Sequence, residues 1–293
     1  MSSKSPAALW IVVILLVGAG GLLFYNLSGL TRDFSPPGPA PAVARTSRPG
    51  GPAPSGVDPS IAIAAARDAI AAGNAAAVAD ALKGLDVNGQ FQLVDTGRRQ
   101  MTLLTFAAIQ PRPEMVQALL AAGAKPDLAS EGGVTPLMMA AARSDVATVA
   151  ALLKAGAPVD ATNKWGETAL MNAARSGLAP NVKALLEGGA SAKAADNEGN
   201  TALLFASGLG GNPEVVRILI AAGCDVDAAN KDGLTPLMRA ADCGDDARCA
   251  ALLDAGARVG LKDSDGRTAL DWAKSRSDEA GAKCAAFLAK AGG

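Results

Sequence analysis

The sequence predicts an all-α solenoid of about seven helix-turn-helix units, preceded by one transmembrane helix and a disordered linker. Three observations carry that prediction. A Thr-(Pro/Ala)-Leu signature recurs at Thr135, Thr168, Thr201, Thr235 and Thr268, at spacings of 33, 33, 34 and 33 residues. Self-similarity at a fixed period of this size marks a repeat architecture. Of the 293 residues 49% are hydrophobic but only 3% aromatic, which suits thin Ala/Leu layers rather than one bulky core. Finally, residues 7–25 (AALWIVVILLVGAGGLLFY) form a run without a charge.

That run is the first element. A bilayer core of roughly 30 Å needs about 20 apolar residues as helix. Trp10 and Tyr25 stand near its ends, where amphipathic rings favour the headgroup region. The rival reading is a cleaved signal peptide. Its apolar region is shorter and ends close to a small-x-small site. Here the obvious candidate, Ala42-Val43-Ala44, lies well beyond the run. An uncleaved anchor over residues 7–27 fits better. Orientation is finely balanced. Arg32, Arg45 and Arg48 follow the span and lean toward a cytoplasmic domain, whereas Lys4 before it resembles a signal anchor. We expect the repeat domain on the extracytoplasmic (periplasmic) side, with cytoplasmic facing as the alternative.

Residues 28–59 form the linker. From Phe34 to Pro59 they are rich in Pro, Gly, Ala and Ser with no hydrophobic periodicity. Such composition buries no core and favours extended chain. It is a spacer, since no P-x-x-P stands beside a convincing basic anchor.

The physics of one repeat can be read directly. Thr suits a helix N-cap, and Pro at the first helical position lacks only a donor that would be unpaired anyway. A short helix follows, with Leu and a small pair on one face: Ala107-Ala108, Ala140-Ala141, Ala173-Ala174, Ala206-Ser207, Ala240-Ala241, then Ala273. Leu119-Leu120, Leu152-Leu153, Leu185-Leu186, Leu219-Ile220 and Leu252-Leu253 mark a second helix, each followed by a Gly suited to a left-handed C-cap. A further Gly, at 133, 166, 199, 233 and 266, falls two residues before each Thr in a turn. One helix pair cannot bury its apolar face alone, so neighbours must stack.

This pattern resembles the ankyrin repeat, with its 33-residue period and T-P-L-H-x-A signature. The resemblance covers nearly everything after residue 60. It implies an ankyrin-repeat solenoid, each unit a helix-turn-helix plus hairpin, that binds protein partners. The departure is at the His position, where this chain has Thr105, Met138, Met171, Leu204, Met238 and Asp271.

The ends read as caps. Residues 61–88 give two Ala-rich helices without the Thr signature, and the connection from Gly89 to Met101 is longer than usual. The divisions expected are a tail (1–6), the transmembrane helix (7–27), the linker (28–59) and the repeat domain (60–293). The repeat domain divides into a degenerate first unit (60–99), then 100–132, 133–165, 166–198, 199–232 and 233–265, and a C-terminal cap (266–293).

Candidate partner-binding residues lie beside the small pair on each first helix and on the hairpin tips. The helix set is Met139, Arg143, Asn172, Arg175, Phe205, Arg239, Asp242 and Trp272. The tips add Lys164, Trp165 and Lys231. Arg, Met and aromatics are the types enriched in protein interfaces. The Met stripe (Met138, Met171, Met238) stands at the repeat's own phase and reads as packing. Cys224, Cys249 and Cys284 read as small buried hydrophobes. Cys243 and Cys249 flank one helix-helix turn, where an oxidising compartment permits a disulfide. Cys249 and Cys284, in adjacent repeats, read as too far apart to bridge.

The remaining classes are narrowed by what is missing. There is no His, so neither a Ser-His-Asp nor a Cys-His pair forms within the chain, and no His-ligated metal site. A net charge of -1 argues against a nucleic-acid partner. Asp263-Ser264-Asp265-Gly266 begins like a calcium loop but lacks the closing Glu. Gly208-Leu209-Gly210-Gly211 lacks the strand and the Lys-Ser/Thr of a phosphate loop. No cofactor, metal or small-molecule substrate is expected. The reading is a membrane-tethered protein-protein interaction module acting as scaffold, inhibitor or assembly factor. The alternatives are a self-associating array and an enzyme with an unrecognised site.

Overall fold

Each repeat begins where a threonine hydroxyl captures an amide that helix geometry leaves unpaired. The computed structural model describes residues 59–83, 86–92, 100–143 and 145–291. Within them Thr102, Thr135, Thr168, Thr201, Thr235 and Thr268 each accept from the N–H three residues on, at 3.1–3.4 Å. The first unit holds α1 (Pro59–Ala72) and α2 (Ala75–Ala81). Two short strands follow, β1 (Gln90–Gln92) and β2 (Gln100–Thr102), paired antiparallel with Gln90 opposite Thr102. The long connection expected there is thus a hairpin whose second strand runs into the Thr102 cap.

The repeats then alternate first and second helices. They are α3 (Leu103–Ala108) and α4 (Pro113–Ala121), α5 (Pro136–Arg143) and α6 (Val146–Lys154), and α7 (Ala169–Arg175) and α8 (Ala179–Glu187). After these come α9 (Ala202–Ser207) and α10 (Pro213–Ala221), α11 (Pro236–Cys243) and α12 (Asp246–Asp254), and α13 (Ala269–Ser275) and α14 (Glu279–Ala291). Packing follows chain order in two layers. First helices stack α3, α5, α7, α9, α11, α13, and second helices stack α2, α4, α6, α8, α10, α12, α14.

The small pairs do what their size allows. Ala107-Ala108, Ala140-Ala141, Ala173-Ala174, Ala206-Ser207 and Ala240-Ala241 are all fully buried between first helices. In each Leu-Leu pair the first side chain is buried and the second half-buried: Leu185 lies in the core and Leu186 at its margin. Truncating a buried Leu such as Leu185 to Ala costs about 2–5 kcal/mol. Second helices end in a Schellman turn. Gly189 takes φ 90°, its N–H donates to Leu186 O at 3.0 Å, and Ala190 N donates to Leu185 O at 2.9 Å.

The histidine position is filled by other means. Ser130 Oγ donates to Thr105 Oγ1 at 3.0 Å, linking the first complete repeat to the next turn. Asp271 Oδ2 accepts from both Thr268 N (2.9 Å) and its hydroxyl (2.8 Å). Met138, Met171 and Met238 are buried in the stack. Among the described residues no helix is long and apolar enough to cross a membrane. Residues 7–27, expected to span one, lie outside the described residues, as does nearly all of the linker.

Candidate partner-binding face

The hairpin tips are organised by one recurring side chain. Asn163 Oδ1 accepts from Trp165 N and Glu167 N, at 2.9 and 3.0 Å. Asp196, Asn230 and Asp263 take the same part, each accepting from the amides two and four residues on at 2.8–3.0 Å. A short acceptor side chain there fixes a turn that backbone groups alone leave unpaired. Successive tips are then joined along the backbone. Lys164 N donates to Gly132 O, Asn197 N to Trp165 O, Lys231 N to Glu198 O and Ser264 N to Asp232 O, all at 2.8–2.9 Å. The tips therefore form one hydrogen-bonded row rather than separate loops.

On this row Trp165 is 47% exposed. The Lys164 ammonium sits 4.5 Å from its ring centroid. Lys231 and Glu198 form an exposed ion pair at 3.9 Å, which in water contributes little.

The first-helix candidates fall into groups. Arg175 lies over the Phe205 ring of the next repeat, 4.1 Å from its centroid, and pairs with Glu167. Its Nη1 also donates to Asn172 Oδ1 at 3.3 Å. Asn172, Arg175 and Phe205 are thus one half-buried cluster across two repeats. Met139 is half-buried against the core, while Arg143 and Arg239 are exposed. Asp242 is half-buried, and its carbonyl accepts from Arg276 Nη1 of the last repeat. Trp272 is turned to internal use: its indole Nε1 donates to Asp263 Oδ2 at 2.9 Å and Arg267 covers its ring at 4.0 Å.

Asp263 is tied into its own turn. Burial pushes its carboxyl up. The Arg267 amide, the Trp272 indole, the Arg267 guanidinium and the Asp265 amide outweigh that and hold it below the usual carboxylate value. Its oxygens are occupied from within the chain.

The cysteines require a correction. All four are free thiols. Cys243, expected opposite Cys249, is half-buried, and burial raises its thiol. Cys249 faces Cys284 instead, Sγ to Sγ 3.3 Å, and both are fully buried. Spacing between repeats suggested too wide a gap. Both side chains point into the layer shared by α12 and α14, and that closes it. Cys224 donates to Ala192 O at 3.1 Å, and burial raises its thiol to about 11.

A second set of residues escaped the sequence reading. Each carries a side-chain donor back to carbonyls at the end of the preceding repeat's first helix. Asn181 Nδ2 reaches Ala141 O at 3.2 Å and Asn212 Nδ2 reaches Gly177 O at 3.2 Å. Arg248, 6% exposed, donates to Ala206 O at 3.4 Å and to Gly208 O. That is the carbonyl end of a helix, where a donor or cation is favoured. The Gly-rich insertion at 208–211 is the loop that Arg248 holds.

Comparison with known proteins fits this architecture. The sequence matches the family model for ankyrin repeats (3 copies) over residues 66–163, 145–230 and 204–292. A search of curated proteins gives no match. Among solved structures the chain is similar to the ankyrin repeat domain of Bcl-3, itself described as a unique member of the IkappaB protein family. The identity is 26% and the TM-score 0.60, covering 75% of this chain and 96% of that one.

Proposed function

The chain belongs to the ankyrin-repeat family, a family of interaction scaffolds, and on that premise we propose that it is a membrane-tethered module whose tip row binds a protein partner. The observation that carries this reading is Trp165, 47% exposed on a tip whose backbone is hydrogen-bonded to its neighbours on both sides. A large aromatic on a rigid support gives contact area with little ordering cost on binding. The Asn172, Arg175 and Phe205 cluster continues the surface on the first helices, with Met139 and Arg143 before it and Arg239 and Asp242 after it. In this reading residues 7–27 are the anchor, 28–59 the spacer and 60–293 the binding domain, held on the extracytoplasmic side.

The test uses the full-length chain as bait in detergent extracts. A stoichiometric protein partner is expected, and Trp165→Ala should weaken its binding at least tenfold, about 1.4 kcal/mol or more. An unchanged affinity overturns the tip assignment. A C-terminal reporter active only outside the cytoplasm reads topology separately; its silence places the domain inside.

A further inference from the structure

Cys249 and Cys284 stand in a relation that no other part of the stack repeats. Their phase on the second helix is held by Val in the preceding repeats: Val116, Val149, Val182 and Val216. All four of those valines are buried. The last two repeats alone carry sulfur there, and they place it on both sides of the same layer. The two Sγ atoms are 3.3 Å apart with nothing between them. Closure to a bond of about 2.05 Å asks for a shift near 1.3 Å shared between two side chains.

We propose that Cys249 and Cys284 form a disulfide that locks the C-terminal helix α14 onto the body of the solenoid. The location gives the bond a purpose. A solenoid is held by nearest-neighbour contacts, so its ends open first. Among the described residues α14 packs against one second helix only, α12. A bond from α12 to α14 joins the last two units at the layer that fraying would expose.

The same opening supplies access, because both thiols are fully buried in the closed state. When α14 lifts, Cys284 meets an external disulfide oxidant, either oxidised glutathione or a thiol–disulfide oxidoreductase. The Cys284 thiolate attacks one oxidant sulfur and expels the other as thiolate, leaving a mixed disulfide. As α14 closes, Cys249 loses its proton and attacks the Cys284 sulfur, expelling the second oxidant thiolate. Two protein thiols lose two electrons and two protons, and one oxidant disulfide becomes two thiols. The hydrogen bond between the two sulfurs, and then burial, push the Cys249 thiol up, while that hydrogen bond pulls Cys284 down. Cys284 attacks first because it rides on the helix that lifts, whereas Cys249 stays on α12. The bond itself does not depend on the side of the membrane; its formation in the cell rests on the extracytoplasmic reading.

The test treats purified full-length protein with oxidised glutathione, unfolds it, alkylates it and digests it with trypsin. Each cysteine falls on its own peptide: Cys224 on 218–231, Cys243 on 240–248, Cys249 on 249–258 and Cys284 on 284–290. The expected product is 249–258 joined to 284–290, lighter than their sum by two hydrogens, with Cys224 and Cys243 alkylated. Amide exchange in α14 should slow at least tenfold on oxidation. Cys284→Val installs the repeat's own residue, keeps the fold, and should abolish both effects. Alkylated Cys249 and Cys284, or a bond from Cys249 to Cys243, overturns the proposal. So does a bond that leaves exchange in α14 unchanged. None of these readings depends on the membrane or on a partner.

Discussion

Asn181 pairs carbonyls that the preceding repeat cannot pair for itself. It is buried on α8, and its Nδ2 lies 3.2 Å from Ala141 O and 3.5 Å from Ala140 O, where α5 has run out of amides. Asn181→Leu keeps the volume but removes the donor, and should cost about 1–3 kcal/mol, read as a lower urea midpoint. Asn181→Asp should cost more, because a carboxylate would face carbonyl oxygens in a buried site. Equal midpoints for the two variants would refute this account. These residues were not legible beforehand for a definite reason. Asn181 and Arg248 share a phase, but Val215 stands between them, and Asn212 and Arg276 occupy other positions. The function is shared by geometry and not by period, so periodicity has nothing to detect. The acceptor at Asn163, Asp196, Asn230 and Asp263 is the opposite case. It keeps the 33-residue clock, and an Asn/Asp column was there to be found. Among the expected binding residues, Trp165 was legible because a turn must be exposed. The internal use of Trp272 was not, since it depends on Asp263 folding back nine residues before it.

At the scale of the element, the hairpin glycines separate two costs that usually come together. Gly233 and Gly266 stand at the same phase, with φ 75° and 78°. Both exclude side chains for backbone reasons, at about 1–2 kcal/mol. Only Gly233 has a neighbour on its outer side: a Cβ there would lie 2.9 Å from Asp263 Cα, whereas at Gly266 nothing lies within 4 Å. Gly266→Ala should therefore cost only the strain. Gly233→Ala should cost about 2 kcal/mol more, as overpacking against backbone does. Thermal melts of the two variants decide it, and equal shifts would mean that the tips are not packed as a row. The helices themselves were legible at this scale. Thr-(Pro/Ala)-Leu, the small pair and Leu-Leu-x-x-Gly fix start, face and end of each helix pair. The exception is β1 and β2, whose three-residue strands lie outside the repeating pattern.

For the molecule as a whole, the depressed carboxylates gather around α13, and acid should reveal it. In the last repeat and the turn before it three carboxylates are held below their ordinary value. For Asp263, burial raises the value, but the amides, indole and guanidinium around it prevail. For Asp271 the lowering comes first from the Thr268 amide, then from its hydroxyl. For Asp278 it comes first from the Arg276 guanidinium, then from the Gly281 amide. A carboxylate with a depressed folded value contributes stability that is fully present above its unfolded value, near 3.9. That contribution fades as pH falls through the folded value. All three groups belong to α13, its preceding turn and the start of α14, so protonation loosens one end and leaves α5 to α10 with their apolar contacts. Because nearest-neighbour coupling lets an end unit open alone, acid unfolding should begin at the C-terminal cap. Amide exchange followed from pH 5 to pH 2.5, corrected for the intrinsic rate, should show α13 and α14 losing protection before α7 and α8. Asp263→Asn should flatten that dependence at the cap while lowering its stability at pH 7. The Cys249–Cys284 bond, once formed, should delay the same opening, and a simultaneous loss of protection along the whole stack would contradict a polarised acid response.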